Sequence, residues 1–172
     1  MHLVTSSIFL RTVSSHLTPA SQNAFLRTYL ATSLLWWVIV GLPRLNISEY
    51  YTSTNAHPLP PSANTTPDAS TLPSQTSPYA LTPNAWLPII QTALVHPGEH
   101  LCKIQRALAH FARLYGSRTA GQTDFCDTEL EGAEQLDGSL FLRVAGETAN
   151  KMGWMREGEK AGQWDRFELY DV

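Results

Sequence analysis

His96-Pro97-Gly98-Glu99-His100-Leu101-Cys102-Lys103-Ile104-Gln105-Arg106-Ala107-Leu108-Ala109-His110-Phe111-Ala112-Arg113-Leu114-Tyr115-Gly116 is the stretch on which the reading of this chain turns. At about 100° per residue, Leu101, Ile104, Leu108, Phe111 and Tyr115 fall into one apolar stripe. His100, Lys103, Ala107 and His110 form a second stripe beside it. Glu99 suits the positive end of a helix dipole, and Gly116 supplies a stop. The spacing predicts a helix whose histidines sit at the edge of its buried face. Such a helix can present them to a cleft between helices.

Working outward, Asn84 is a plausible N-cap for a preceding helix with Trp86, Ile89, Ile90, Ala93 and Leu94. Pro88 falls in its first turn, where a missing N–H is tolerated, and Pro97 ends it. The two helices should form a hairpin or corner. Arg118 to Glu134 is polar and reads as loop, with Gly121 and Gly132 within it. Asp137 then caps a last helix, Gly138 to Met152, with Leu140, Phe141, Val144, Ala145, Thr148 and Met152 on one face and Gly153 as its C-cap. Trp154 and Trp164, among the charges of the tail, are expected to pack back on the helices. No stretch alternates at period two for long, so the fold class is all-α: a helical hairpin or bundle fragment over residues 82–172.

Earlier residues divide into three. Residues 1–17 hold few structural cues and read as a frayed lead-in. Thr18-Pro19 opens a helix within a segment of 18–44, with Thr18 as N-cap and Pro19 at the first helical position. Its second half, Leu34 to Val40, is apolar all round and must be deeply buried or in a membrane. The uninterrupted apolar run from Leu30 to Leu42 is shorter than the roughly 18 residues a span requires, and Arg27 lies in any extension. A core helix is therefore expected, needing partners on every side. Residues 45–81 are rich in Pro, Ser, Thr and Asn. Such a segment buries too little apolar surface to offset its ordering entropy and is expected to be a disordered linker.

The 172 residues suit one domain, with 43% hydrophobic content. A net charge of −3 and a pI near 6.0 give no case for nucleic acid or an anionic membrane surface. Cys102 and Cys126 have neither metal nor redox spacing and read as reduced thiols of an intracellular protein. The first ten residues lack the basic start and long apolar core of a signal peptide, so a cytoplasmic location is expected.

Three patterns bear on chemistry. His96-Pro97-Gly98-Glu99-His100 matches the His-x-x-Glu-His arrangement of inverted zinc peptidases, which would make a zinc-dependent hydrolase. Pro97 pushes His96 to extended geometry and Gly98 disfavours helix, so the match is formal and no metal site is expected. His100, Lys103 and His110 are the second group: a histidine serves as general base, and a lysine holds a phenolate or enolate. The alternative for these three is a solvated helix face. Gly153-Trp154-Met155-Arg156-Glu157-Gly158-Glu159 is glycine-rich, yet follows no strand and is no dinucleotide fingerprint. Trp154 and Trp164 are candidates to wall an aromatic substrate, with plain packing as the alternative.

His96 to Gly116, the Leu-Asp-Gly-Ser-Leu-Phe run at 136–141 and the Gly-Trp…Gly-Glu…Trp-Asp run from 153 to 165 together resemble the fungal questin oxidase-like family. The resemblance covers most of the chain from Ser21 onward apart from the linker. It implies a Baeyer–Villiger-type monooxygenase of secondary metabolism that uses oxygen and NADPH to cleave a ring of an aromatic polyketide. His96, Glu99, His100 and Lys103 stand where the family's pattern is expected. Family members are longer and carry a further His/Asn-rich helical motif that residues 1–20 lack. The chain thus resembles their C-terminal part, either an incomplete copy of the enzyme or a non-catalytic remnant that binds a partner. A complementing N-terminal half or a second copy is the expected partner, and exposed apolar surface is expected on the 19–40 helix.

Overall fold

Across the residues described by the structure, a computed structural model covering 1–61 and 84–164, the chain is helical with no strand. In order these are α1 (His2–Ser7), α2 (Leu10–Ser15), α3 (Pro19–Ile39), α4 (Ile47–Ser53), α5 (Trp86–Val95), α6 (Glu99–Tyr115), the single turn α7 (Thr123–Cys126) and α8 (Leu140–Met152). Short 3-10 turns lie at Ala133–Gln135 and Met155–Glu157. The chain forms two units, Ile47–Gln163 and Met1–Asn46 with Trp164–Val172. Residues 62–83, most of the expected linker, lie outside the described residues.

In the larger unit, α6 packs against α8 and α5. Leu101, Ile104 and Leu108 of α6 are buried with Ile89 and Ala93 of α5, Ala145, Ala149 and Met152 of α8, and Trp154. Alanines on α8 leave room for the leucines opposite. The helix expected from Gly138 begins instead at Leu140, because Asp137 Oδ1 accepts from the Ser139 N–H and hydroxyl and holds that corner as a turn. The N-cap of α5 is Ala85, one residue after the expected Asn84, whose Oδ1 still accepts from the Trp86 N–H at 3.1 Å. Gln105 is a buried polar exception, and its Nε2 donates to the Ala145 carbonyl at 2.9 Å. That bond ties α6 to α8 at one register.

Helix α4 lies in the stretch expected to be disordered. Seven residues cannot hold a helix alone, and the support comes from α8. Arg143 donates to the Tyr51 carbonyl at 3.0 Å and to the Thr54 carbonyl, so its guanidinium closes the last turn of α4. The same guanidinium lies 4.6 Å from the Tyr51 ring centroid. Tyr51 Oη in turn accepts from the Asp137 N–H at 3.1 Å. Just beyond α4, Pro58 is buried against Gly146, where a Cβ would stand 2.4 Å from the proline Cβ. Beside Tyr51, the Tyr50 hydroxyl is buried with no hydrogen-bond partner. Burial first, and the Glu147 carboxylate second, push it up to about 12.

In the smaller unit, residues 1–17, expected to fray, form α1 and α2. Tyr29 of α3 donates to the Leu3 carbonyl at 2.5 Å, and Gln22 Nε2 donates to the carbonyls of Ser14 and Leu17 at 2.9 and 3.1 Å. Thr18 caps α3 as expected, accepting from the Ser21 N–H at 3.3 Å, with Pro19 at the first position. The core-helix expectation for α3 is corrected: none of its residues is buried, and its large apolar side chains from Leu26 onward are exposed. The expectation of exposed apolar surface on this helix is met. Among the described residues, no helix is long and apolar enough to cross a membrane.

Two predictions follow from these contacts. Gly146→Ala gains helix propensity of about 1 kcal/mol but drives a methyl into a rigid proline ring, so a net loss of about 1–2 kcal/mol is expected in chemical denaturation. For Tyr50 the folded pKa lies above the unfolded value of 10. As pH rises from about 10 to 12, the unfolded chain loses this proton first and folding stability falls. Tyr50→Phe removes both the orphaned hydroxyl and this linkage, so between pH 8 and 11 its melting temperature should drop less than that of the native chain.

Candidate functional site

The five expected catalytic residues separate into three places. Glu99 begins α6, and its Oε1 accepts from Lys103 Nζ at 2.8 Å, one turn along, with both side chains largely in solvent. The lysine ammonium holds the Glu99 carboxyl below the usual carboxylate range. His100 Nδ1 lies 4.0 Å from the same oxygen. Glu99, His100 and Lys103 thus form a surface cluster, in which the lysine charge is already met by a carboxylate.

His96 belongs elsewhere. It is extended, with φ −75° and ψ 131°, as the following proline demands. Gly98 donates its N–H to His96 Nδ1 at 2.9 Å, which places the imidazole proton on Nε2, 3.1 Å from the Met152 carbonyl oxygen. Both ring nitrogens are therefore spent tying the α5–α6 corner to the end of α8. With α6 beginning only at Glu99, His96 and His100 do not share a helix, and the zinc-peptidase geometry is not formed. Among the described residues, no group of three or more His, Cys, Asp or Glu side chains is placed to hold a metal ion.

His110 stands at the other end of α6. Ten residues at the helical rise separate it from His100 by about 15 Å. Its ring meets Phe111 edge-on at 5.3 Å. Phe111, Tyr115 and Phe141 form a triangle of near-parallel rings, with centroids 6.2–6.4 Å apart and planes within 18–27°. Tyr115 is exposed, and Phe111, Phe141 and His110 are half-buried. An imidazole beside partly exposed parallel rings can bind a flat aromatic and exchange a proton with its hydroxyl. Sequence reasoning placed Phe111, Tyr115 and Phe141 in the apolar stripes of two helices. That α6 and α8 bring them face to face was beyond its reach.

Of the expected substrate walls, Trp154 is fully buried in the core, where its Nε1 donates to Asn150 Oδ1 at 2.8 Å. It is packing. Trp164 is exposed and falls in the other unit. Cys102 and Cys126 are free thiols, both exposed.

NADPH requires groups to hold its pyrophosphate, and the glycine-rich turn does not fit. The Trp154 N–H that opens it donates to Glu159 Oε2 at 2.8 Å. The N–H groups of Met155, Gly158 and Glu159 bond to carbonyls of the same turn. The turn's own carboxylate fills the place an anion would take, and Glu157 adds a second negative charge.

A family model described as questin oxidase-like matches residues 1–108, and the chain belongs to that family, which is of oxidoreductase type. The match takes in α1 to α5 and α6 as far as Leu108, with His96, Glu99, His100 and Lys103. It includes residues 1–20, and stops before His110 and the runs at 136–141 and 153–165. No curated protein and no solved structure matches the chain.

The hydrogen bonds of His96 give a direct test of its role. His96→Ala should cost about 1–3 kcal/mol in urea denaturation, because it leaves the Gly98 N–H and weakens the anchorage of Met152. A stability equal to the native chain's would show that the bridge holds nothing.

Proposed function

We propose that the chain is an oxidoreductase of questin oxidase-like type, which uses molecular oxygen to oxidise and cleave a ring of an anthraquinone-like aromatic polyketide. NADPH is the reductant that the family resemblance implies, and the Gly153–Glu159 turn takes no part in holding it. The observation carrying this reading is His110 beside the Phe111–Tyr115–Phe141 rings, in a chain of this family. A planar phenol stacked on the exposed side of these rings puts its hydroxyl within range of the imidazole. His110 accepts the phenolic proton and leaves the substrate as an electron-rich phenolate, the form more readily oxidised.

Glu99, His100 and Lys103 are the second set of groups suited to the same chemistry. There the lysine must exchange its Glu99 partner for a phenolate, which costs the existing charge-assisted bond. Lys103 therefore serves substrate capture better than proton transfer.

Oxygen uptake by the purified chain, with NADPH and a panel of hydroxyanthraquinones, tests this reading. Substrate-dependent uptake is expected, falling by about 10²-fold in His110→Ala while the protein stays folded. Lys103→Ala should raise KM with little change in kcat. No uptake from a folded, monodisperse sample would count against the enzyme.

A further inference from the structure

Arg106, His110 and Arg113 share one face of α6, spaced four residues before and three after the histidine, which sets side chains next to one another. The Cβ atoms of both arginines thus stand about 5–6 Å from that of His110. Both arginines are exposed, and neither has a carboxylate partner among the described residues. The sequence explains why. Three and four residues to either side, Arg106 meets Cys102, Lys103, Ala109 and His110, and Arg113 meets Ala109, His110, Gly116 and Ser117. Glu99 is the only acid in α6, and Lys103 already holds it.

Acidic residues outnumber basic ones in the chain by 15 to 12, yet α6 carries three basic side chains and one acid. Arg113 lies in the last turn, where the helix dipole favours a cation. Arg106, in the middle of the helix, has no such reason to be there. What the pair can hold follows from its place. His110 lies between the two arginines, and its ring meets Phe111 edge-on at 5.3 Å, at the margin of the Phe111–Tyr115–Phe141 rings. A flat ligand on those rings with its hydroxyl at His110 directs the substituents of that end toward the two guanidiniums. A guanidinium grips a carboxylate through two parallel N–H···O bonds, which a lysine ammonium cannot do.

We infer that Arg106 and Arg113 form an anion subsite beside His110, which takes a carboxylate carried on the hydroxyl-bearing ring of the aromatic ligand. The inference rests on the ring face being the site of the proposed function, and it names the substrate class. That class is a hydroxylated polycyclic aromatic acid, in preference to a neutral quinone.

Two matched ligands test it on the full chain: a dihydroxyanthraquinone with a carboxylate on one hydroxylated ring, and the same compound with a methyl group in that place. Isothermal titration at low salt should show the acid binding about tenfold tighter, with the advantage shrinking as salt is added. Arg106→Gln/Arg113→Gln should remove that advantage while circular dichroism shows the same helicity. In the isotopically labelled native chain, the Nε–H signals of Arg106 and Arg113 should move with the acid far more than with the methyl compound. That measurement keeps the test valid if the double variant unfolds. Equal affinity for the two ligands would overturn the subsite and leave the ring face standing. So would an advantage that survives the double substitution, or Nε–H signals that inorganic phosphate saturates at the same concentration as the acid. Failure of both ligands to bind the folded chain would overturn the ring face and the subsite together.

Discussion

The contact between α6 and α8 is the constraint on which the larger unit depends. Leu101, Ile104 and Leu108 need a surface close enough for dispersion contacts, and Ala145 and Ala149 provide it by being small. Gln105, bonded to the Ala145 carbonyl, then admits one register. That register sets Phe141 opposite Phe111 and Tyr115, carries Arg143 to the end of α4, and brings Met152 within reach of His96. A slip of one turn would lose all three. The aromatic face that the proposed chemistry uses is thus a by-product of how the core packs.

Helix periodicity made much of this legible. Thr18-Pro19, the Leu101–Ile104–Leu108 stripe and the extended His96 before Pro97 follow from local rules, and the structure keeps them. Helix α4 was not legible because nothing within Ile47–Ser53 sustains it. Its support is Arg143, about ninety residues downstream. Gln105 was invisible for a related reason, since a polar side chain on a helix reads as solvent-facing until its partner carbonyl is known. The surroundings of α3 failed differently. Its all-round apolar character speaks for burial, yet no local rule says what buries it, and within one copy of the chain it is exposed.

The histidines show where sequence spacing misleads about sites. His96, His100 and His110 look like a set along one stretch, yet each answers to a different neighbour. His96 is fixed by Gly98 and Met152, His100 lies by the Glu99–Lys103 pair, and His110 sits with the rings. Only the last has an apolar surface for a flat ligand beside it. An imidazole next to stacked rings has more to offer a phenol than a lysine already paired in solvent. Family membership rests on residues 1–108 and lends nothing to His110 or Phe141: His110 is a candidate by its place in the helix stripe, and Phe141 by geometry.

Chemical-shift mapping of the isotopically labelled chain with a hydroxyanthraquinone is the most direct test of where that ligand lies. Saturable shifts centred on His110, Phe111, Tyr115 and Phe141 are expected, with smaller ones at Glu99, His100 and Lys103. Shifts confined to the Glu99–Lys103 end of α6, or none at all from the folded chain, would contradict the aromatic site.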